Sequence, residues 1–277
     1  MPELPEVETT RSGISPGLVG QAIREVIVRE HRFRWPIPDA LPSLLKDQQV
    51  VSVTRRSKYL LIQVTKGIVI IHLGMSGSLR LLKNTSPAAK HDHVDIVMAN
   101  GYVLRFNDPR RFGCVLYTTD PIAHHPLIRH LGPEPLSDDF TPDYFAARCR
   151  LRKLPIKNFI MDAKVVVGVG NIYANEALFL SGIHPNRTPS SLSKREIEAL
   201  THNIRAILAQ AIKRGGTTLK DFSNAEGKPG YFAQELLVYG RKGMPCTVCK
   251  TPLVEVRLQN RSSVFCPQCQ PDPQTSS

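Results

Sequence analysis

Long apolar segments are missing from this sequence of 277 residues. The longest apolar runs, such as residues 68–73 and 165–167, fall far short of the ~18 residues that a membrane span requires, so we expect no transmembrane helix. A cationic leader followed by an apolar stretch is also missing, because the first residues are acidic and rich in proline. We therefore expect no secretory signal and a cytoplasmic location.

Cysteine is scarce, with 6 residues in the chain, and its distribution argues against a disulfide framework. Two Cys-x2-Cys pairs, separated by 16 residues, are formed by Cys246, Cys249, Cys266 and Cys269. In a reducing compartment this spacing favours four thiolate ligands around one zinc ion. Protein would fill all four positions, so we expect one structural Zn²⁺ that holds a small β-hairpin together. A redox dithiol is the alternative, which the lack of a βαβ pattern disfavours.

Acidic residues are outnumbered, with 24 aspartates and glutamates against 36 lysines and arginines, and the formal net charge is +12. A basic protein has a polyanion as its first candidate partner, with nucleic acid ahead of an anionic membrane surface. The hydrophobic share of 42% is that of a folded protein, and the length predicts two domains.

Short β-branched runs dominate the first part of the chain, and no βαβ alternation interrupts them. The runs are residues 22–29, 50–54, 59–65, 68–73, 78–82, 93–98, 102–106 and 113–117. Turn signals separate them, notably Lys66-Gly67 and Asn100-Gly101. Strands at this spacing predict an antiparallel β-sandwich or barrel.

Helical patterns follow a Gly-Pro-Glu-Pro stretch at 132–135. Ser193 and Glu196 form a capping-box pattern before a helix that should end at the glycine pair 215–216. A second helix is expected to be capped by Asn171 and to bury apolar side chains as far as Leu180. We expect a β-sandwich domain with an N-terminal helix at 1–131, a linker at 132–136, a helical domain at 137–236, a zinc finger at 237–271 and a disordered tail at 272–277.

The first three residues suggest covalent catalysis. Removal of Met1 would expose the secondary amine of Pro2, and since α-amino groups titrate near ~8, a useful fraction would be neutral and nucleophilic at pH 7. Attack on an aldehyde-like carbon gives an iminium ion, and Glu3 could move protons at the same centre. The alternative is that this proline-rich, acidic stretch is only a rigid start to a helix.

The sequence resembles the bacterial formamidopyrimidine-DNA glycosylases in several stretches that occur in the same order. The opening Met-Pro-Glu-Leu-Pro-Glu-Val-Glu-Thr is similar to the start of that family. Further matching stretches are residues 55–61, 72–77, 90–95, 108–113, 166–173, 215–219 and the four-cysteine finger. The resemblance implies an α+β protein with an N-terminal antiparallel β-sandwich and a C-terminal helical domain that carries a helix–two-turn–helix element and the zinc finger.

The implied activity is base-excision repair by a combined DNA glycosylase and abasic-site lyase, acting on 8-oxoguanine and formamidopyrimidines in double-stranded DNA. By resemblance, Pro2 is the nucleophile that forms a Schiff base and Glu3 is the acid/base group. Lys58 matches a phosphate-contacting lysine with a part in β-elimination. Arg261 matches the arginine of the finger hairpin that is linked to δ-elimination.

The family's void-filling residues match Met75, Arg110 and Phe112, which occupy the gap left when the damaged nucleotide is everted. From residue type alone, the methionine and the phenylalanine are more typical of a core, but their turn-like segments favour exposed loops. Further DNA contacts are implied for three positions: His91, Arg152 and Asn171. The alternative for His91 and His93 is a surface pair or stray metal ligands.

The sequence leaves the role of one basic cluster open. The basic residues Arg148, Arg150, Arg152, Lys153 and Lys157 are either a DNA-contacting or a solvated face. Residues 217–231 match a family loop that closes over the everted base, with Glu6 and Glu176 as supporting carboxylates.

We expect a monomer. The alternative functions are a related glycosylase for oxidised pyrimidines and a non-catalytic zinc-ribbon DNA-binding protein.

Overall fold

The computed structural model describes residues 2–83, 86–217 and 235–272. The chain divides into two compact units, which are considered one at a time. Unit 1 consists of Met1–His130 with Ile212–Ala233, and unit 2 consists of Leu131–Ala211 with Gln234–Ser277. Across the described part of the chain, no helix is both long and apolar enough to cross a membrane.

Unit 1 consists mainly of strands, as the β-branched runs predict. Its elements are α1 (Leu4–Leu18), β1 (Ile23–Val28), α2 (Leu41–Leu45), β2 (Val50–Arg56), β3 (Tyr59–Val64), β4 (Gly67–His72), β5 (Ser78–Lys83), β6 (Asp92–Met98), β7 (Tyr102–Asn107), β8 (Cys114–Thr118) and a 3-10 turn at Ile122–His124. Each predicted run contains one strand, and the predicted ends differ from the observed ends by at most two residues.

Strands β1–β8 form two antiparallel sheets within residues 2–83 and 86–130. Their orders are β1-β6-β7-β5 and β2-β3-β4-β8. Side chains at alternate positions of β3, namely Leu60, Ile62 and Val64, enter a core shared by both sheets, α1 and α2. This alternation is expected of strands with one face on a core. The β-sandwich prediction is therefore confirmed.

A charged cluster is buried in the β1-β6-β7-β5 sheet. Arg105 donates two hydrogen bonds to the Asp95 carboxylate, Nε to Oδ1 and Nη2 to Oδ2, both at 2.8 Å. Arg29 contacts the same carboxylate at 2.7 Å, and Arg80 contacts Asp92 at 2.5 Å. Burial by itself would raise the pKa of Asp92 and Asp95. Hydrogen bonds and neighbouring positive charges outweigh burial and lower the pKa of each carboxyl below its usual value.

Unit 2 is helical and ends in a hairpin. Its elements are α3 (Pro142–Cys149), α4 (Ile156–Ile160), α5 (Asn171–Leu180), a 3-10 turn at Pro189–Ser191, α6 (Lys194–Lys213), β9 (Val254–Leu258) and β10 (Arg261–Phe265). The last residues of α6, from Ile212 onward, belong to unit 1. The capping box of α6 is confirmed, since Ser193 N–H donates to Glu196 Oε2 at 2.7 Å and Glu196 N–H donates to Ser193 Oγ at 3.3 Å.

Two details of the predicted helix at 171 are wrong. Gly170 is the N-cap and Asn171 is the first helical residue. Leu180, expected to be buried, is 44% exposed at the end of the helix. The apolar pattern located the helix correctly, but its N-cap lies one residue earlier, at Gly170, whose backbone is extended (φ −121°) as that of an N-cap residue typically is.

Both cysteines outside the finger are buried, as expected of idle thiols. Burial raises the pKa of Cys114 and of Cys149 to about 12, so neither is a thiolate at neutral pH.

Arg105→Met should lower the free energy of unfolding of unit 1 by roughly 3–5 kcal/mol at pH 7, because two carboxylates would stay buried without the guanidinium. Urea unfolding followed by circular dichroism measures this loss. The difference between wild type and variant should shrink as the pH falls below the usual aspartate value of 3.8. The stability that wild type gains from lowered pKa values is lost there, whereas the two buried carboxyls of the variant, which have lost one of their guanidinium partners, become neutral.

The control is Arg32→Met, at a guanidinium whose side chain is 83% exposed and pairs with Glu30. An exposed ion pair adds little to stability, so this variant should unfold like wild type. An equal loss in the free energy of unfolding for the two variants would show that burial of the Arg105 cluster does not contribute to stability.

Candidate active site and nucleic-acid interface

The predicted site residues fall in both units. Unit 1 contains Pro2, Glu3, Lys58, Met75, His91, Arg110 and Phe112, and unit 2 contains Arg152, Asn171, Arg261 and the four finger cysteines.

The start of the chain is held by a reciprocal capping box. Pro2 and Glu3 precede α1, and Glu3 is its N-cap. The backbone N–H of Glu3 donates to Glu6 Oε2 at 2.8 Å, while the Glu3 side chain accepts from the backbone N–H of Glu6. All three residues are buried. The helix start is therefore fixed rather than frayed, and the backbone next to Pro2 has a defined position.

The other carboxylate oxygen of Glu6 connects the chain start to a distant segment of unit 1. Oε1 accepts from the backbone N–H of Thr217 at 2.8 Å and from its hydroxyl at 3.0 Å. Gly216 has φ +79°, and a Cβ there would lie 2.9 Å from Glu6 Oε1. A side chain at 216 would thus be both strained and crowded. Of the predicted loop 217–231, Thr217 is described and 218–231 lies outside the described residues.

Lys58 lies in the turn between β2 and β3, and a short relay ties that turn to α1. Arg55 donates from Nη1 to the carbonyl of Ser57 at 2.7 Å and from Nε to Glu8 Oε2 at 3.1 Å. Ser57 has φ +57°, an uncommon value for a residue with a side chain. The helix that begins beside Pro2 thus also orients the backbone that carries Lys58.

His72, to which the sequence assigned no role, has a pKa lowered by burial, and the charge of Lys58 contributes to the lowering. Burial, helped by the positive charges of Lys58 and Arg34, lowers the pKa of His72 to about 4. Its ring packs on Tyr59 with centroids 4.8 Å apart, and its Nδ1 accepts from the backbone N–H of Gly74 at 3.0 Å. His72 is therefore neutral at pH 7. The sequence motif contained this histidine, but the burial responsible for its pKa depends on packing that sequence does not display.

Large side chains are exposed on two loops of unit 1. Met75 is 41% exposed in the 74–77 turn, and Phe112 is 44% exposed in the 108–113 loop. Arg110 is exposed as well, and its guanidinium carbon lies 4.8 Å from the centroid of the Phe112 ring. A core role for Met75 and Phe112 is therefore wrong.

His91 is half-buried, with its ring centroid 6.1 Å from that of His93. His93 is buried, and its Nε2–H donates to the carbonyl of Asp108 at 3.0 Å. The two histidines therefore differ, since His93 is fixed inside the fold and His91 keeps part of its ring at the surface.

In unit 2, the start of α5 carries an orphaned polar atom. Asn171 Oδ1 is buried and has no hydrogen-bond partner among the described residues. Gly168, three residues earlier, has φ +82°. The N-terminus of a helix attracts anions through its dipole.

The basic cluster that follows α3 does not form a single solvated face. Arg152 is exposed. Lys157, in contrast, is 1% exposed, and its ammonium donates to the carbonyl of Ser262 and, at 2.7 Å, to Ser263 Oγ. Grouping Lys157 with an exposed face is therefore wrong. Its hydrogen bonds to two residues of β10 make it a support for the hairpin.

Arg261 begins β10, directly after a two-residue turn. Gln259 and Asn260 have φ +46° and +63°, as a type I′ hairpin requires. Asn158 donates to Gln259 Oε1 at 3.0 Å, so α4 holds the tip of the hairpin. Arg261 itself is exposed. The hairpin therefore presents an exposed guanidinium on a braced turn.

The four finger cysteines meet at one point. Their sulfur atoms all lie within 4.8 Å of one another, with pairs at 3.4, 3.5 and 3.9 Å. Thiolates 2.3 Å from a tetrahedral zinc would be separated by about 3.8 Å. The donor set and the spacing fit one structural Zn²⁺, whose chemistry would be to crosslink the two knuckles.

Glu176 on α5 fixes the segment that leads into the finger. Its carboxylate accepts three backbone N–H groups, from Leu237 at 2.8 Å, Val238 at 2.9 Å and Tyr239 at 2.8 Å. It is fully buried. Glu176 therefore supports the backbone of residues 237–239 within unit 2.

Three family models match the chain. The formamidopyrimidine-DNA glycosylase N-terminal domain matches residues 1–115, and the H2TH domain of the same glycosylases matches residues 131–223. A zinc finger found in FPG and IleRS matches residues 243–271. Together the matches include both ends of the described chain and agree with the four-sulfur cluster.

Curated relatives and solved structures agree with the family models. Formamidopyrimidine-DNA glycosylases of Enterobacter sp. (strain 638) and Escherichia coli (strain K12 / DH10B) are each 57% identical over 270 residues, covering 98% of this chain and 100% of the relative. The MutM (FPG) protein of Thermus thermophilus superimposes with a TM-score of 0.88 at 36% identity, covering 97% of this chain and 98% of that chain.

The Lactococcus lactis Fpg in complex with abasic-site DNA superimposes with a TM-score of 0.91 at 33% identity, covering 98% of this chain and 100% of that chain. The same enzyme with DNA containing N7-benzyl-Fapy-dG has a TM-score of 0.91 at 34% identity, again covering 98% and 100%. The chain therefore belongs to the formamidopyrimidine-DNA glycosylase family, the base-excision-repair enzymes for oxidised purines in DNA.

Proposed function

We propose that this chain releases 8-oxoguanine and formamidopyrimidines from double-stranded DNA through a Schiff base on Pro2, and then cuts the strand by β,δ-elimination. The observation that carries the proposal is the buried Pro2-Glu3 pair at the start of α1, where the Glu6 carboxylate accepts from Glu3 N–H with one oxygen and from Thr217 N–H with the other. The DNA complexes of the Lactococcus lactis relative, with abasic-site DNA and with DNA containing N7-benzyl-Fapy-dG, support the substrate class.

The nucleophile is the Pro2 nitrogen after loss of Met1. Its lone pair attacks the anomeric carbon of the damaged nucleotide, and the bond to the base breaks with its electron pair moving onto the base, which takes up a proton. The attached nitrogen then loses its proton, and the C1′–O4′ bond breaks with its electron pair staying on O4′, which takes up a proton. The ring-opened iminium ion that results acidifies the hydrogen on the neighbouring sugar carbon. Loss of that proton expels the 3′ phosphate, and a second elimination expels the 5′ phosphate. One nucleophile therefore serves both base release and strand cleavage.

Glu3 is the acid/base group at this centre, because it is the residue next to the nucleophile and lies at a fixed helix start. Lys58 contacts phosphate and takes part in proton transfer during β-elimination. Since His72 is neutral at pH 7, it does not compete with Lys58 for the negative charge of a phosphate. Arg261 holds the phosphates that flank the lesion and assists δ-elimination, and Lys157 supports its hairpin.

The damaged nucleotide is everted from the duplex, which costs a few kcal/mol and leaves a gap in the stack. Met75 and Phe112 fill this gap, and both are exposed as such a role requires. Arg110, stacked on the Phe112 ring, donates hydrogen bonds to the orphaned partner base, which we expect to be cytosine.

The backbone of the DNA is gripped by His91, Arg152 and Asn171. The N-terminus of α5, which begins at Asn171, supports an anion site there, because the positive end of the helix dipole favours a phosphate. The net charge of +12 supplies the long-range attraction to the duplex.

The proposed function includes a cellular location, an oligomeric state and a division into domains. The chain acts in the cytoplasm, where bacterial DNA lies, and it acts as a monomer. A linker at 132–136 ends the catalytic domain at 131, the helical domain covers 137–236 and the finger covers 237–271; the family matches at 131–223 and 243–271 support this division.

Borohydride trapping tests the proposal. Wild type should give a covalent adduct with an 8-oxoguanine:cytosine duplex and little with a thymine-glycol duplex. Pro2→Gly should bind the lesion duplex but release the base and cut the strand more slowly, because a more flexible primary amine replaces the ring nitrogen. The matched control is Pro5→Ala, a proline of the same helix start without an α-amine, which should trap like wild type.

The outcomes separate the alternatives. A preference for thymine glycol would identify a glycosylase for oxidised pyrimidines. No adduct from wild type with either duplex would identify a non-catalytic DNA-binding protein. An adduct of undiminished rate from Pro2→Gly would contradict the predicted need for the ring nitrogen of Pro2.

Cys249→Ser tests the finger. Losing one of four thiolates should release the zinc, measured by elemental analysis, and weaken binding of lesion DNA by roughly tenfold, the loss expected for one charged contact, measured by fluorescence anisotropy. Cys149→Ser changes a buried cysteine of the same unit outside the cluster, and it should keep one zinc per chain. Zinc retained by Cys249→Ser, or lost by Cys149→Ser, would contradict the assignment.

A further inference from the structure

The two loops that carry the exposed wedge side chains share one buried carboxylate. Asp108 is fully buried at the start of the 108–113 loop. Its Oδ1 accepts from the hydroxyl of Ser76 at 3.0 Å and from the backbone N–H of Arg110 at 3.2 Å. Its Oδ2 accepts from the backbone N–H of Gly113 at 2.8 Å. One side chain thus spans the 108–113 loop and reaches across to the 74–77 turn.

The backbone of Asp108 ties in the third surface element of this region. Its N–H donates to the carbonyl of His91 at 3.1 Å. Its carbonyl accepts from His93 Nε2–H at 3.0 Å and from the backbone N–H of Arg111 at 3.2 Å. The segment that presents His91 is therefore fixed to the same residue as the two wedge loops.

The backbones of the two loops also lie in direct contact, with too little space between them for a Cβ at Gly74 or Gly113. A Cβ on Gly74 would lie 2.5 Å from the nitrogen of Gly113 and 2.6 Å from the carbonyl carbon of Phe112. A Cβ on Gly113 would lie 2.4 Å from the carbonyl oxygen of His72. Gly74 has φ +62° besides. Contacts this close leave the loops a single relative placement, and the Asp108 hydrogen bonds lock it.

We propose that Asp108 is a positioning residue that holds Met75, Arg110 and Phe112 as one preformed wedge, so that the three side chains enter the DNA stack together. This rests on the proposed function, in which those side chains fill the gap left by the everted nucleotide. A wedge built from two independent loops would have to be ordered during insertion, whereas a preformed one has that ordering cost removed beforehand.

A carboxylate suits this position better than its amide. All three groups around the side chain donate hydrogen bonds, and an aspartate offers acceptors only. In Asp108→Asn, one oxygen becomes an NH₂ group that faces a donor, so at least one bond across the loops is lost without a change in side-chain size. The variant should loosen the wedge while the core around it stays packed.

The experiment compares two substrates under single-turnover conditions, with the active fraction counted by borohydride trapping. Base release from an 8-oxoguanine:cytosine duplex requires a stacked base to be pushed out, whereas strand cleavage at an abasic site does not. Asp108→Asn should slow the first reaction by roughly tenfold, the effect of one lost buried hydrogen bond, and leave the second within about twofold. The fluorescence of 2-aminopurine placed beside the lesion should report slower unstacking in the variant.

Two further variants keep the result decisive. Ser76→Ala removes a single hydrogen bond between the loops and should show the same selective loss at smaller size, also if Asp108→Asn folds poorly. Asp95→Asn changes an equally buried aspartate of the same unit that contacts Arg29 and Arg105 instead, so it should lower stability without changing the ratio of the two rates.

Equal slowing of both reactions by Asp108→Asn, or no slowing of either, would overturn the proposal. If wild type itself neither traps nor cleaves the 8-oxoguanine duplex, the proposed function fails, and that result is distinct from an unchanged ratio in a working enzyme.

Discussion

A buried carboxylate at the beginning of the first helix is the constraint on which the active site depends. Glu6 caps the helix through the N–H of Glu3 and accepts two hydrogen bonds from Thr217. Chain termini usually fray because nothing pairs their first amides. Here residues 2–7 are instead buried in unit 1, and in the proposed function this restraint aims the Pro2 nitrogen at a single point. Covalent catalysis by a chain end requires this kind of restraint.

Other carboxylates of unit 1 fix further loops by hydrogen bonds in the same way. Glu8, one turn further along α1, orients the turn of Lys58 through Arg55, and Asp108 fixes the loops that carry the exposed side chains. In each case a buried or half-buried carboxylate accepts several hydrogen bonds from separate segments. Such fully satisfied polar networks specify one arrangement of loops, which apolar packing alone does less well. In unit 2, Glu176 and Lys157 do the same for the segment and hairpin around the zinc ligands.

The fold was largely predictable from sequence because its signals are local. Strand alternation, turn dipeptides and the cysteine spacing each depend on neighbouring residues, and the structure confirms them. The active-site chemistry depended on resemblance, because Pro2 and Glu3 alone are more typical of a plain helix start than of catalysis. What sequence missed depends on contacts between distant segments: the low pKa of His72, the burial of Lys157 and the hydrogen bonds of Asp108 across two loops all follow from packing.

The central claim is that the nitrogen of Pro2, set free at the chain end, is the group that bonds to the sugar. The most direct measurement is peptide mapping by mass spectrometry of the borohydride-reduced complex formed by wild type and an 8-oxoguanine duplex. We expect the sugar remnant on the N-terminal peptide that begins at Pro2. A remnant on a lysine peptide, or full activity in a preparation that retains Met1 or carries an acylated first residue, would contradict the account.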